Sequence, residues 1–187
     1  MNEKIVRQSI VEYGKRLTKT GLVQGTWGNI AVRLDKENML VTPSGLDYMQ
    51  LTPEDIVKVN IKTLEYSGRR KPTSEKRLHS EIFRKHPKVG AVVHAHSVNC
   101  GVFAAAGAEV PAKTKEMKRL VGGAMKCASH ALPSTKRLSR LALKALTDRN
   151  ACLLQNHGIV CCGHDLEEAY KICEVVEEAA GSCLNLD

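Results

Sequence analysis

Apolar residues along this chain alternate between a helical and an extended period. Near the N-terminus Ile5, Val6, Ile10, Tyr13 and Leu17 recur at roughly helical steps, which predicts a helix over 3–20 with Gly21 as its C-cap. The glycine-rich stretch GLVQGTWGN (21–29) ends that period. Two short apolar runs, IAVRL (30–34) and MLVTP (39–43), flank a polar turn at 35–38 and predict strands. Residues 44–55 read as loop and turn, and 56–68 as a strand, a turn and a second edge. The helical period returns in KPTSEKRLHSEIFRKHP (71–87), with Pro72 at its entry, Thr73 or Ser74 as cap, and Leu78, Ile82 and Phe83 on its apolar face. VGAVVHAHS (89–97) predicts a strand and VNCGVFAAAG (98–107) a short helix, whereas 108–133 carry no clear period. STKRLSRLALKALTD (134–148) predicts a helix capped by Ser134, with Leu138, Leu141, Ala142 and Ala145 facing inward. ACLLQNHGIVCCG (151–163) predicts a strand pair, and 165–184 a last helix with Asp165 and Glu168 at capping-box spacing.

Helices thus alternate with short strands, several of which read as antiparallel neighbours. That order predicts an α/β layered sandwich. A chain of 187 residues suits a single domain, 1–187, with one well-buried core. No run approaches the ~18 apolar residues of a membrane span, and the N-terminus is too charged for a signal peptide. The expected compartment is the cytoplasm, with no membrane partner. Seven cysteines, an odd number without CxxC spacing, predict reduced core thiols. The net charge of +8 suits either nucleic acid or a small anionic substrate. Lys and Arg are scattered, though, and aromatics amount to 4% with a single Trp27, so stacking platforms for nucleic acid are scarce. The charge therefore argues for a small anion.

The chemistry concentrates at strand ends. In AVVHAHSVN (91–99), His94 and His96 lie two apart, so a strand turns both to one face. Two imidazoles can share one metal ion, or they can be polar residues where a strand surfaces. LLQNHGIV (153–160) offers a third imidazole, His157, at a similar strand end. Three nitrogens leave a coordination position open, as in catalytic zinc sites. A metal-assisted reaction also needs a proton carrier, and Glu75 of PTSEKRLH (72–79) is the candidate, as ligand, general base or each in turn. His79, His86, His130 and His164 carry no such pattern and read as ordinary.

Taken together, GLVQGTWGNIAVRL, VTPSGLDY, KPTSEKRLH, AVVHAHSVNC and LLQNHGIVCCGHDLEEA resemble the class II aldolase/adducin head family, most closely its L-fuculose-phosphate aldolase branch. The resemblance covers nearly the whole chain. It implies a three-layer α/β sandwich around a central, mostly antiparallel sheet, and a homotetramer with active sites between subunits. It assigns His94, His96 and His157 as metal ligands, with Zn²⁺ the expected ion, and Glu75 as the acid/base residue. It maps a substrate phosphate onto Thr26, Asn29, Ser44, Gly45, Thr73 and Ser74. Short hydroxyls, an amide and glycine N–H groups can form such an anion nest, although TPSG and GTWGN also read as plain turns.

The implied reaction is cleavage of a ketose 1-phosphate, such as L-fuculose 1-phosphate, between C3 and C4. It gives an aldehyde and the enediolate of dihydroxyacetone phosphate, which the metal stabilises as a Lewis acid. With a one-residue gap, Glu116 of VPAKTKEMKRL (110–120) falls where the family has its tyrosine for the C4 hydroxyl, a carboxyl similar to that of a dehydratase branch; it reads equally as an exposed helix carboxylate among lysines. Longer members continue past the position of Asp187 with a stretch that closes over the substrate. Two other readings carry over from the family: a sugar-phosphate epimerase or dehydratase, and a non-catalytic adducin-like module. The histidines and Glu75 speak against the last.

Overall fold

The computed structural model describes residues 2–184; Met1 and residues 185–187, the C-terminal Asp187 among them, lie outside the description. Its centre is an eight-stranded sheet in the order β4-β3-β2-β1-β5-β8-β7-β6. The strands are β1 (Gly28–Arg33), β2 (Asn38–Val41), β3 (Val57–Asn60), β4 (Tyr66–Ser67), β5 (Ala91–Ala95), β6 (Cys127–Ala128), β7 (Ala151–Leu154) and β8 (Gly158–Gly163). Every neighbouring pair is antiparallel except β6 with β7. The helices are α1 (Glu3–Lys19), α2 (Lys76–Lys85), α3 (Val98–Ala106), α4 (Lys115–Val121), α5 (Lys136–Ala145) and α6 (Leu166–Leu184).

Strand side chains alternate between two apolar layers, which makes the molecule a three-layer α/β/α sandwich. Ile30, Val32, Val93, Leu153, Ile159 and Cys161 join the core under α1, α3, α4 and α6. Ala31, Val92, Cys152, Leu154, Val160 and Cys162 join the core under α2 and α5. Central strands buried on both faces explain why their sequences read as continuous apolar runs. The seven cysteines are free thiols, five of them buried, as expected of core residues. No helix among the described residues is long and apolar enough to cross a membrane.

Helix boundaries differ from expectation at the caps. Thr135, not Ser134, caps α5, its side chain accepting from Leu138 N; Ser134 sits at φ +66 in the turn before it. Glu75 occupies the N-cap of α2 without a side-chain cap bond, while the Thr73 hydroxyl accepts from Glu75 N. Thr20, not Gly21, is the C-cap of α1. Asp165 caps α6 through Glu168 N, but Glu168 does not close the capping box: its carboxylate accepts from His164 N and meets the His164 ring. Residues 108–133 do contain structure: α4, β6 and an isolated bridge between Val110 and Met125.

Candidate active site

The sheet register assembles the site. β1 and β5 pair antiparallel with Asn29 opposite His94, so these two side chains stand together on the α2 face. α2 crosses that face and brings Glu75, at its N-cap, down onto them. β8 pairs with β5 from the other side, and the turn joining it to β7 carries His157. Two glycines make this approach possible. A Cβ on Gly158 would lie 2.4 Å from the Ala95 carbonyl oxygen and 3.0 Å from His96 Cδ2. A Cβ on Gly28, at φ +146, would lie 2.7 Å from Val23 Cγ2 and 2.9 Å from the His94 carbonyl oxygen. Both glycines thus let backbone and imidazole come closer than any side chain would allow.

His94, His96 and His157 offer one ring nitrogen each, all within 4.8 Å of one another. The Nε2 atoms of His94 and His96 are 2.9 Å apart. His94 Nδ1 donates to the Ile159 carbonyl at 2.8 Å, which leaves Nε2 free to face the cluster. Glu75 closes the group, with Oε2 3.0 Å from His94 Nε2 and Oε1 3.7 Å from His157 Nε2. Glu75 is 4% exposed and Oε1 has no hydrogen-bond partner among the described residues.

The charges in this cluster fit a cation. Burial pushes the Glu75 carboxyl up, but the imidazole of His94 outweighs it, with His157 and Asn29 adding, so its pKa falls well below the usual carboxylate range. Burial pushes His94 down, and the Glu75 carboxylate more than reverses this. His96 is pushed down to about 4 by burial and then by its two imidazole neighbours, and His157 is lowered by burial and by His94. The Glu75 carboxylate thus lies against a group of three imidazoles, two of which, His96 and His157, are shifted toward the neutral form that can donate a lone pair. This is a donor set for Zn²⁺ or a similar divalent transition metal.

These groups lie in a cavity of about 180 Å³ whose wall also includes Thr26, Ser44, Gly45, Thr73 and Ser74, the residues onto which the resemblance maps a substrate phosphate. Its loops are stitched together by Ser44 N donating to the Lys71 carbonyl (2.9 Å) and Thr73 N to the Thr42 carbonyl (3.0 Å). The buried Asp55 accepts from Arg69 at 2.7 Å and Arg70 at 2.9 Å, tethering the segment that enters Thr73–Glu75. A larger groove of about 910 Å³ runs along α1, but its Glu3 is already paired with Arg7 and Lys58.

Two sequence-predicted residues behave differently. Asn29 lines the same cavity, yet its side-chain amide is spent on Glu75 Oε2 (3.2 Å) and its carbonyl on His79. Glu116 lies on the exposed face of α4, 3.9 Å from Lys171, and is not among the residues lining the cavity. Sequence reasoning missed His79, which is not ordinary: it is fully buried and pushed down to about 4 by burial. Its signal was its place four residues after Glu75, one turn along a helix whose neighbours Leu78 and Ile82 face inward. Trp27 and Tyr48 also line the cavity without having been singled out for it.

The profile of the family described as Class II Aldolase and Adducin N-terminal domain matches residues 8–184. The chain belongs to this family. The 5-methylthioribulose-1-phosphate/5-deoxyribulose-1-phosphate aldolase of Rhodospirillum rubrum is 39% identical over 94% of this chain and 78% of its own length. The L-fuculose phosphate aldolase of Escherichia coli (strain K12) is 36% identical over 95% of this chain and 81% of its own. A solved L-fuculose 1-phosphate aldolase superposes with a TM-score of 0.91 at 36% identity, covering 96% of this chain and 85% of that one. The relatives named are aldolases, and the chain is an enzyme of that class. Class II aldolases depend on a metal ion, and the three histidines of this chain form a group that could hold one.

Proposed function

We propose that this enzyme is a divalent-metal-dependent aldolase that cleaves a deoxyketose 1-phosphate, such as 5-deoxyribulose or L-fuculose 1-phosphate, to dihydroxyacetone phosphate and an aldehyde. The observation that carries this reading is the convergence of three imidazoles and the buried Glu75 in one cavity with the hydroxyl- and glycine-lined nest. The substrates named for the relatives share a phosphorylated three-carbon half and differ beyond it.

In this mechanism the nest of Thr26, Ser44, Gly45, Thr73 and Ser74 binds the phosphate. That fixes C2 and C3 of the sugar over the histidines and Glu75. A divalent ion held by His94, His96 and His157, Zn²⁺ by preference, supplies Lewis-acid stabilisation of the negative charge that develops when the C3–C4 bond breaks. A base takes the proton of the C4 hydroxyl; Glu116, supplied from a neighbouring subunit of a homotetramer, is the candidate. The C3–C4 electron pair moves toward C2 and the aldehyde leaves; Glu75, ionised at rest, takes up a proton from water and delivers it to C3, while the base returns the C4 hydroxyl proton to water, completing dihydroxyacetone phosphate. No Schiff-base lysine is needed.

The test is bound metal per chain together with dihydroxyacetone phosphate release from 5-deoxyribulose and L-fuculose 1-phosphates. About one metal per chain with chelator-sensitive release is expected. His94→Ala should lose metal and turnover together, and Glu75→Gln should keep metal while kcat falls by ~10²–10⁴-fold. Full metal content and activity in His94→Ala would refute the site. A carboxyl at Glu116 favours one second reading, a dehydratase of the same family. It would release water and a diketone phosphate from the same substrates, with no three-carbon product.

A further inference from the structure

Beside the three clustered histidines, three side chains form one hydrogen-bonded line. His79 lies one turn beyond Glu75 on α2, fully buried. Its Nε2 meets Asn29 Oδ1, and Asn29 Nδ2 meets Glu75 Oε2 at 3.2 Å. The hydrogens along this line must run one way. A carboxylate only accepts, so Asn29 presents its NH₂ to Glu75. That turns the Asn29 carbonyl toward His79, and a carbonyl also only accepts, so His79 presents an N–H at Nε2. The opposite amide orientation would set a carbonyl against the carboxylate in a dry interior. His79 Nδ1, buried and without a partner among the described residues, is then the bare nitrogen.

We propose that His79 is a positioning residue: acting through Asn29, it helps hold Glu75 Oε2, which also faces His94 Nε2 at 3.0 Å, and leaves Oε1 as the oxygen that carries the proton to carbon. Oε1 fits this role because it is buried and has no hydrogen-bond partner of its own. His79 itself touches no reacting atom. The identity of the proton step rests on the aldolase reading above; the hydrogen-bonded line does not. A histidine that only filled space would need no donor, and leucine would serve as well.

The first measurement is made on the metal-free protein. Long-range ¹⁵N–¹H spectra of the imidazoles should show His79 neutral and protonated at Nε2, with a slowly exchanging proton that disappears in Asn29→Ala. A charged ring, or one protonated at Nδ1, overturns the proposal whatever the enzyme's substrate. In the metal-loaded enzyme, His79→Leu should lower kcat by about 10–100-fold with metal content unchanged and KM within about threefold. His79→Gln, whose amide N–H can still reach Asn29, should recover kcat to within about threefold of the wild type. The double variant His79→Leu/Asn29→Ala should be no worse than the poorer single, because both cut the same line. A His79→Leu protein that melts earlier but turns over normally per folded chain shows a space-filling role and overturns the proposal. If the wild type cleaves no ketose phosphate, the aldolase reading fails, and the spectra of the metal-free protein still decide the proposal.

Discussion

Gly158 lets the three histidines come together by having no side chain. Its Cβ would fall against the Ala95 carbonyl and both His96 and His94, so alanine must push β8 away from β5 where the ligands sit. Gly158→Ala is expected to cost about 1–3 kcal/mol of stability and to weaken metal binding more than tenfold, measured by thermal melting and by competition with a chelator. Unchanged metal affinity would mean that strand spacing does not set the ligand geometry. At this scale much was legible. HAHS and NHG announced three imidazoles at strand ends, and PTSE announced the carboxylate. His79 was not legible, because its importance comes from which face of α2 turns inward and from the β1–β5 register that puts Asn29 beside it. Neither can be read from a single histidine inside a helix. The resemblance mapped Asn29 onto a substrate phosphate; it lines the cavity, but its side chain is tied to Glu75 and His79, a pairing that depends on the same register.

Among the elements, α2 depends on how the chain enters it. Asp55 accepts from Thr52 N and from the Thr52 hydroxyl as well as from Arg69 and Arg70. Burial pushes the Asp55 carboxyl up, but Arg70, Thr52 and Arg69 more than offset it and hold its pKa far below the ordinary value. A depressed carboxyl stabilises the fold in its charged form. That contribution is complete above about pH 4, the unfolded value, and is lost as pH falls through the folded one. Asp55→Asn should therefore destabilise by about 1–3 kcal/mol at pH 7, and the gap from the wild type should shrink as the pH is lowered below 4 in denaturant melts. A gap that stays constant with pH would assign the effect to packing. Long amphipathic elements such as α5 and α6 were legible from their period, within three residues at their ends. Residues 108–133 were not. α4 has seven residues and β6 two, too short for a period to emerge. They are held by tertiary burial of Met117, Leu120 and Val121 and by a parallel pairing with β7, a contact that leaves no local trace.

For the molecule as a whole, the unpartnered surface near the site matters most. Trp27 lines the cavity mouth at 65% exposure, Leu132 beside the lining Pro133 is 70% exposed, and Val98 and Val102 stand one turn apart on the outer face of α3, which begins two residues after His96. Apolar groups clustered around a polar site are unusual on a free surface and suit an interface between subunits. The proposed homotetramer would place them there, and would have to bring Glu116, exposed on α4, to a neighbour's cavity if it is to act on the C4 hydroxyl. That arrangement makes a prediction which separate subunits cannot meet. Glu75→Gln and Glu116→Gln should each be nearly inactive alone. If they are unfolded together and refolded as mixed oligomers, some sites combine an intact Glu75 from one chain with an intact Glu116 from another. With random mixing about a quarter of the sites are whole, so roughly a quarter of wild-type activity should return. Steady-state rates on the refolded mixture, with light scattering to confirm the oligomer, would check this. An inactive mixture would place Glu116 outside the shared site, and the C4 proton would then belong to another group at the cavity mouth. An active Glu116→Gln enzyme would remove it from the chemistry altogether. The same mixing carried out with His94→Ala and Glu75→Gln, two residues of one cavity, should recover nothing, because no exchange of whole chains can bring an intact His94 to an intact Glu75.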